Sequence, residues 1–171
     1  IGLAIGLYGL VQAALQIPFG MLSDRIGRKP VIVIGLLLFA AGSFIAGYAQ
    51  DIHWILAGRA VQGAGAISGA LSALLADTTR PQVRTQAMAL MGVGMGVSFI
   101  VALVLGPIFS GLIGVDGIFN LTGVLALLAI PGILLAVPAA PRLAPSRGGL
   151  RRALADPQLL RLDGGIFLLQ A

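Results

Sequence analysis

The chain contains no cysteine, no glutamate, one lysine and one histidine. Without cysteine it can form neither a disulfide nor a thiolate metal site. His53 has no metal-ligand partners at useful spacing, and no triad of nucleophile, base and acid can be assembled. The glycines around positions 63–69 lack the lysine and the preceding strand of a phosphate-cradling loop. These gaps speak against an enzyme, a metal or a bound cofactor. Charge is scarce as well. Only 10% of residues are charged and 58% are hydrophobic, where soluble domains have about 25% and about 45–50%. With a mean hydropathy of +1.02, the chain belongs in a lipid bilayer. It is also rich in glycine, with 25 residues, which suits membrane helices that pack closely.

A helix that crosses a bilayer needs roughly 20 apolar residues. Five segments meet this: 1–22, 31–50, 52–76, 85–115 and 117–137. A sixth apolar run starts at residue 164 and continues to 171. In lipid, the backbone must satisfy itself as helices or as a closed barrel. Barrel strands are short and alternate, whereas these runs are long and uniformly apolar, so the spacing predicts an all-α membrane protein. The first residue falls inside an apolar run and is not Met, and the last falls inside another, so a longer protein is expected.

The net charge of +5 is organised by these spans. Of the 11 basic residues, all but Arg59 fall in every second connection: Arg25, Arg28 and Lys29; Arg80 and Arg84; Arg142, Arg147, Arg151, Arg152 and Arg161. The alternate connections, around Asp51 and Asp116, carry no Lys or Arg. The basic connections are therefore expected in the cytoplasm, and the charge reports topology rather than nucleic-acid binding. The long connection from 138 to 163 is rich in proline and arginine. It reads either as a flexible linker between two helical bundles or as an amphipathic segment on anionic lipid.

Several residues stand out against this apolar background. Residues 20–30 form a charged, glycine-bounded island between two spans, a joint that brings two helices close. Asp77, at the same membrane face, is expected near it; Asp24, Arg28 and Asp77 then form either a charge cluster or three solvated loop charges. Arg59 lies about 10 Å into its span at 1.5 Å per residue, followed by Gln62 and Gly63. It either snorkels to the outer headgroups or is a buried cation facing a partner or a wet cavity. No carboxylate lies within the spans, so such a partner is expected on a helix outside this chain. Gly106-Pro107 and Gly111 interrupt the fifth run and predict a kink, either purely structural or shaping a cavity. Gly2/Gly6, Gly65/Gly69 and Gly92/Gly96, each four apart, are expected to form flat packing strips.

Three of these patterns resemble motifs of the major facilitator superfamily, in the order that family has them. Gly20-x-Leu22-Ser23-Asp24-Arg25-x-Gly27-Arg28-Lys29 resembles motif A, between the second and third helices. Arg59-x-x-Gln62-Gly63-x-Gly65-Ala66 resembles motif B of the fourth helix. Gly106-Pro107-x-x-Ser110-Gly111 resembles motif C of the fifth, with Ser110 in place of the first of two glycines. Motif C marks the drug:proton antiporter branch, and residues 6–30 resemble its YajR-type members.

The resemblance implies that 1–138 supplies helices two to six of an N-terminal bundle, 139–163 a cytoplasmic linker and 164–171 the start of helix seven. It implies a secondary transporter of the bacterial inner membrane, exporting a small amphipathic compound against protons by rocking two bundles about a central site. Gly20, Asp24, Arg25, Gly27, Arg28, Lys29 and Asp77 would latch one conformation. Arg59, Gln62 and Gly63 would serve proton coupling, and Gly106, Pro107 and Gly111 the helix-five kink. A uniporter or symporter of the same fold, or a non-transporting membrane scaffold, are the alternatives. The implied partners are the bilayer, a small-molecule substrate, protons and the C-terminal bundle of the same chain. No metal or cofactor is implied.

The cysteine-free background makes the topology testable. A single cysteine at position 27 or 147 is expected to resist an impermeant thiol reagent added to intact cells. Labelling of either from outside would overturn the orientation.

Overall fold

A computed structural model describes residues 2–65 and 67–137. Its elements, in chain order, are α1 (Gly2–Ile26), α2 (Arg28–Gly47), α3 (Ile52–Ala64), α4 (Ser68–Thr78) and α5 (Arg84–Ala136). Among the described residues every regular element is a helix, as the uniform apolar runs require. The proline-rich connection, the arginines from 142 onward and the apolar run at 164–171 lie outside the described residues, as does Ala66.

The charged island is almost entirely helical. α1 runs on to Ile26 and α2 begins at Arg28, so Gly27 alone makes the joint. Its φ of 103° and ψ of 156° lie in a region open essentially only to glycine. Any other side chain there is strained, which makes position 147 the better labelling site. The Gly27 N–H bonds back to the Ser23 carbonyl at 3.1 Å and closes α1. Pro30 sits in the first turn of α2, where a missing N–H costs little.

At the opposite end, Asp51 caps α3. Its Oδ1 accepts from the N–H groups of His53 (2.9 Å) and Trp54 (3.2 Å), replacing partners that the first helical turn cannot supply internally.

Two elements differ from the sequence expectation. The run 52–76 is not one helix: α3 ends at Ala64 and α4 starts at Ser68. Gly63 and Gly65 each weaken a helix by about 1 kcal/mol relative to alanine. Both are also held against neighbouring backbone. A Cβ on Gly63 would fall 2.5 Å from the Tyr8 carbonyl oxygen, and one on Gly65 would fall 2.5 Å from that of Gly35. The second difference lies in α5. Gly106, Pro107 and Gly111 remain within helical geometry, and the departure comes at Gly114, with φ 73° and ψ 174°. Leu90, Met91 and Val137 border one pocket, yet a straight helix would separate Leu90 from Val137 by about 70 Å. The chain therefore doubles back at Gly114, two residues before Asp116, where a connection is expected, giving two limbs, 84–113 and 115–136.

α2 occupies the centre, antiparallel to α3 and to the second limb of α5. Its buried residues are Val31, Ile32, Gly35, Ala40, Gly42, Ser43, Ala46 and Gly47, mostly three or four apart along one broad face. Gly42 and Gly58 meet across the α2–α3 seam: a Cβ on Gly42 would lie 2.6 Å from the Gly58 carbonyl oxygen, and one on Gly58 2.7 Å from the Ala46 nitrogen. The expected strips are elsewhere. A Cβ on Gly2, Gly6, Gly92 or Gly96 would meet nothing within 4 Å among the described residues. Gly65 and Gly69 fall on either side of the break between α3 and α4. The close contacts belong to glycines whose spacing fits two crossing helices rather than one strip. Near the joint, Val31, Ile32, Ala70 and Leu74 form an apolar core, flanked by Phe19, Leu36, Ile67, Leu71, Ile133 and Val137. Leu90, Phe99 and Leu112 point outward from the first limb of α5, each about 70% exposed or more.

By length and composition, α2 and α5 are able to cross a membrane. With α3 and α4 serving one crossing, the described chain is an all-α membrane bundle whose alternate connections gather at one end. The Gly27 joint, the end of α4 and both ends of α5 lie together there, and Asp51 lies at the other.

The glycine seam yields a stability prediction. Gly42→Val should overpack the α2–α3 contact and cost about 1–3 kcal/mol, lowering the thermal unfolding midpoint in detergent. Gly92→Val should leave it nearly unchanged. Equal midpoints for both variants would show that the seam is not tightly packed.

Candidate functional site

At the end where the basic connections gather, Arg28 is the hub. Two basic residues, Arg28 and Lys29, occupy the first turn of α2, where the helix dipole already presents positive charge. Carboxylates offset this. Arg28 Nε donates to Asp77 Oδ2 at 3.0 Å, which ties α2 to the end of α4. Its Nη1 reaches Asp24 Oδ1 and Ser23 Oγ, each at 2.5 Å. Ser23 Oγ in turn donates to the Gly20 carbonyl at 2.7 Å. The Arg28 and Asp77 side chains are 15% and 19% exposed, while Asp24 is 54% exposed. The Asp24 arm is thus a solvated pair, a class worth about 1 kcal/mol or less. The Asp77 arm is the sheltered link between helices.

Asp24, Arg28 and Asp77 therefore lie together. Lys29 takes another route and approaches the Leu134 carbonyl at 3.5 Å, near the last turn of α5, where a cation suits the dipole. Arg25 is exposed and outside the ion-pair network. Gly20 meets nothing that a Cβ would disturb among the described residues. Its contribution is the carbonyl that orients Ser23.

The second site surrounds Arg59. The guanidinium lies 4.9 Å from the centroid of the Phe119 ring and 5.8 Å from that of Tyr8, both within cation–π range. Arg59 Nη1 donates to Gln62 Oε1 at 3.2 Å. Gln62 Nε2 donates to Ser43 Oγ at 2.6 Å, and Ser43 Oγ donates to the Phe39 carbonyl at 2.8 Å. The donor–acceptor order is dictated by the arginine, which can only donate. Gln62 and Ser43 are at most 2% exposed. A cation within the span is thus held by two aromatic faces and a buried relay that crosses from α3 to α2. No carboxylate pairs with Arg59 among the described residues; its neighbours are Tyr8 of α1, Phe119 of α5 and Gln62 of α3, which Ser43 of α2 holds in place.

Gly63 does not touch the cation. It lets α3 approach the backbone of α1 near Tyr8, which brings the tyrosine within reach. Gly106, Pro107 and Gly111 join neither cluster. Sequence reasoning passed over Tyr8, Ser43 and Phe119, and gave Ser23 no role beyond its place in the motif. Ser23 stood inside the charged island, but the other three are isolated in apolar runs with no local signal. Asn120, next to Phe119, carries a buried Oδ1 with no partner among the described residues; it packs against Gly47. Among the described residues no three His, Cys, Asp or Glu side chains converge.

Comparison with known proteins gives this geometry its context. The profile of the Major Facilitator Superfamily matches residues 1–169. The chain is 49% identical to the inner membrane transport protein YajR of Escherichia coli (strain K12), over 99% of this chain and 38% of that protein. It is 42% identical to an uncharacterized transporter of Buchnera aphidicola subsp. Schizaphis graminum, over 81% of this chain and 35% of that one. It is 33% identical to the multidrug resistance protein MdtH of Aeromonas hydrophila subsp. hydrophila, over 95% of this chain and 42% of that one. The chain thus spans about two-fifths of the length of these relatives. With its helical bundle, its spanning apolar runs and a profile match over nearly its whole length, this chain is an integral membrane protein belonging to the Major Facilitator Superfamily.

Proposed function

We propose that the chain is the N-terminal half of a secondary transporter of the inner membrane, exporting a small amphipathic compound in exchange for protons. In this reading 1–138 supplies five helices of the first bundle, 139–163 links the bundles in the cytoplasm, and 164–171 opens the second. The observation that carries it is the pair of polar centres at two depths of one span. α3 holds Arg59 within the membrane, and α4 holds Asp77 in a charge cluster at the end of the same crossing. A scaffold has no use for a half-buried cation within a span, whereas a transporter can use one as a fixed charge that biases a titrating group. The names of YajR and MdtH, a transport protein and a multidrug resistance protein, favour transport, and the second favours export.

Alternating access needs bundles that rock about a central site. The Arg28 hub supplies a breakable tie at the cytoplasmic face. Asp77 and Arg28 fix α4 to the α1–α2 joint, and Asp24, more exposed, is placed to exchange partners when the second bundle approaches. Gly27 keeps the joint to one residue, so motion of α1 passes directly to α2.

Two predictions follow from this division of roles. Asp24→Asn should reduce transport several-fold with nearly normal membrane abundance, because its solvated pair contributes about 1 kcal/mol or less to the fold. Transport at the wild-type rate, measured in proteoliposomes, would remove the latch.

For Arg59, substrate flux under an imposed pH gradient is the measurement. Arg59→Ala should abolish gradient-driven flux at matched membrane abundance. Arg59→Lys, which keeps the charge and loses the planar fork, should retain part of it. Full flux in Arg59→Ala would take this residue out of the mechanism and favour a cation that merely snorkels.

A further inference from the structure

The outer end of the α2–α3 hairpin carries a cavity that neither polar centre uses. It measures about 460 Å³ and is lined by Phe44, Ile45, Tyr48, Gln50, Asp51 and Trp54. We propose that it is a lipid site for an ammonium-bearing headgroup, with the ethanolamine head of phosphatidylethanolamine as its occupant.

Three features point to that chemistry. The first is the aromatic lining. The chain has one tryptophan and two tyrosines, and this cavity holds the tryptophan and one tyrosine beside a phenylalanine. Tyr48 and Trp54 are 77% and 58% exposed, so their ring faces are open to a ligand. Such faces attract an ammonium group, and tryptophan and tyrosine favour the headgroup level of a membrane.

The second is charge. Asp51 is 56% exposed, and its two capping bonds both use Oδ1. Oδ2 has no protein hydrogen bond among the described residues. His53, 88% exposed, approaches Oδ1 at 3.7 Å, beyond hydrogen-bond distance. No Lys or Arg belongs to this connection. An ammonium group therefore gains a carboxylate and aromatic faces together, while an anionic headgroup is repelled. A wholly apolar ligand would leave the carboxylate unused.

The third is the floor. Phe44 and Ile45 belong to the apolar body of α2, directly below the polar rim. A headgroup in the cavity would therefore have apolar surface beneath it for the start of its acyl chains. The proposal goes beyond the transport reading and requires only that this end of the hairpin face lipid.

Trp54 supplies the probe. The full-length protein is placed in bilayers of equal parts phosphatidylethanolamine and phosphatidylglycerol, with acyl-chain bromine on one lipid or the other. The composition stays constant and only the quencher moves. The Trp54 signal, taken as wild type minus Trp54→Phe, should be quenched with about a two- to five-fold preference for brominated phosphatidylethanolamine, the range for one exposed cation–π contact. Asp51→Asn should abolish the preference while keeping the fold, since asparagine caps a helix as well as aspartate does. Tyr48→Leu, which leaves the cap untouched, should weaken it.

Equal quenching by the two lipids in the wild type would overturn the proposal, as would a preference that survives Asp51→Asn. No quenching by either would show that protein covers the cavity and would overturn it equally. Soluble ethanolamine is the last arm: loss of the preference at millimolar concentrations would reassign the site to free ammonium compounds. Persistence supports the lipid.

Discussion

Close backbone approach along α2 is the constraint on which the rest of this structure depends. Lipid tails are as apolar as leucine, so helices in a membrane gain little from hiding apolar surface against one another. They associate through tight packing and through hydrogen bonds between helices. Gly42 and Gly58 remove the side chains that would hold α2 and α3 apart. At that separation a glutamine side chain spans the gap, and Gln62 reaches Ser43 at 2.6 Å. The bond then fixes which way the Gln62 amide points, and so how Arg59 is met. The position of the charged group is therefore a consequence of residues that have no side chain.

The same economy governs the two ends of the bundle. At one end, α2 begins with two cations against its own dipole, and the carboxylates of α1 and α4 converge to offset them. Arg28 is sheltered enough for the tie to Asp77 to have direction and exposed enough for Asp24 to stay in water. At the other end the connection around Asp51 has no Lys or Arg, and Asp51 works as a helix cap with aromatic rings beside it. Between the ends, the interruption of α3 and α4 separates two jobs on one crossing. α3 holds Arg59 against Tyr8 and Phe119, and α4 carries Asp77 to the Arg28 cluster.

Much of this was legible from residue types alone. The membrane, the number of crossings and the gathering of basic connections follow from runs of apolar residues and from where charge is tolerated. The likeness of residues 20–30 to motif A marked the Arg28 cluster, and Asp24 and Asp77 both reach Arg28. Element ends were read less well. The charged island looked like a loop, yet hydrogen bonding carries both helices up to Gly27. The run 52–76 looked like one helix because hydropathy does not register where two backbones press together. The turn in α5 falls at Gly114, beside the connection expected around Asp116, while the helix runs through Pro107, where it accommodates the missing N–H.

The sequence by itself determined the solvent of this protein, its helical class and the ends at which charge collects, because transfer between water and lipid is a property of each residue and its near neighbours. Only the tertiary structure decided which glycines are contacts, which face of α3 carries the cation and which aromatic rings receive it. Tyr8, Ser43, Arg59 and Phe119 are separated by tens of residues. Their meeting depends on how closely the four helices approach and in what register, and that is a property of packing, which no local pattern encodes.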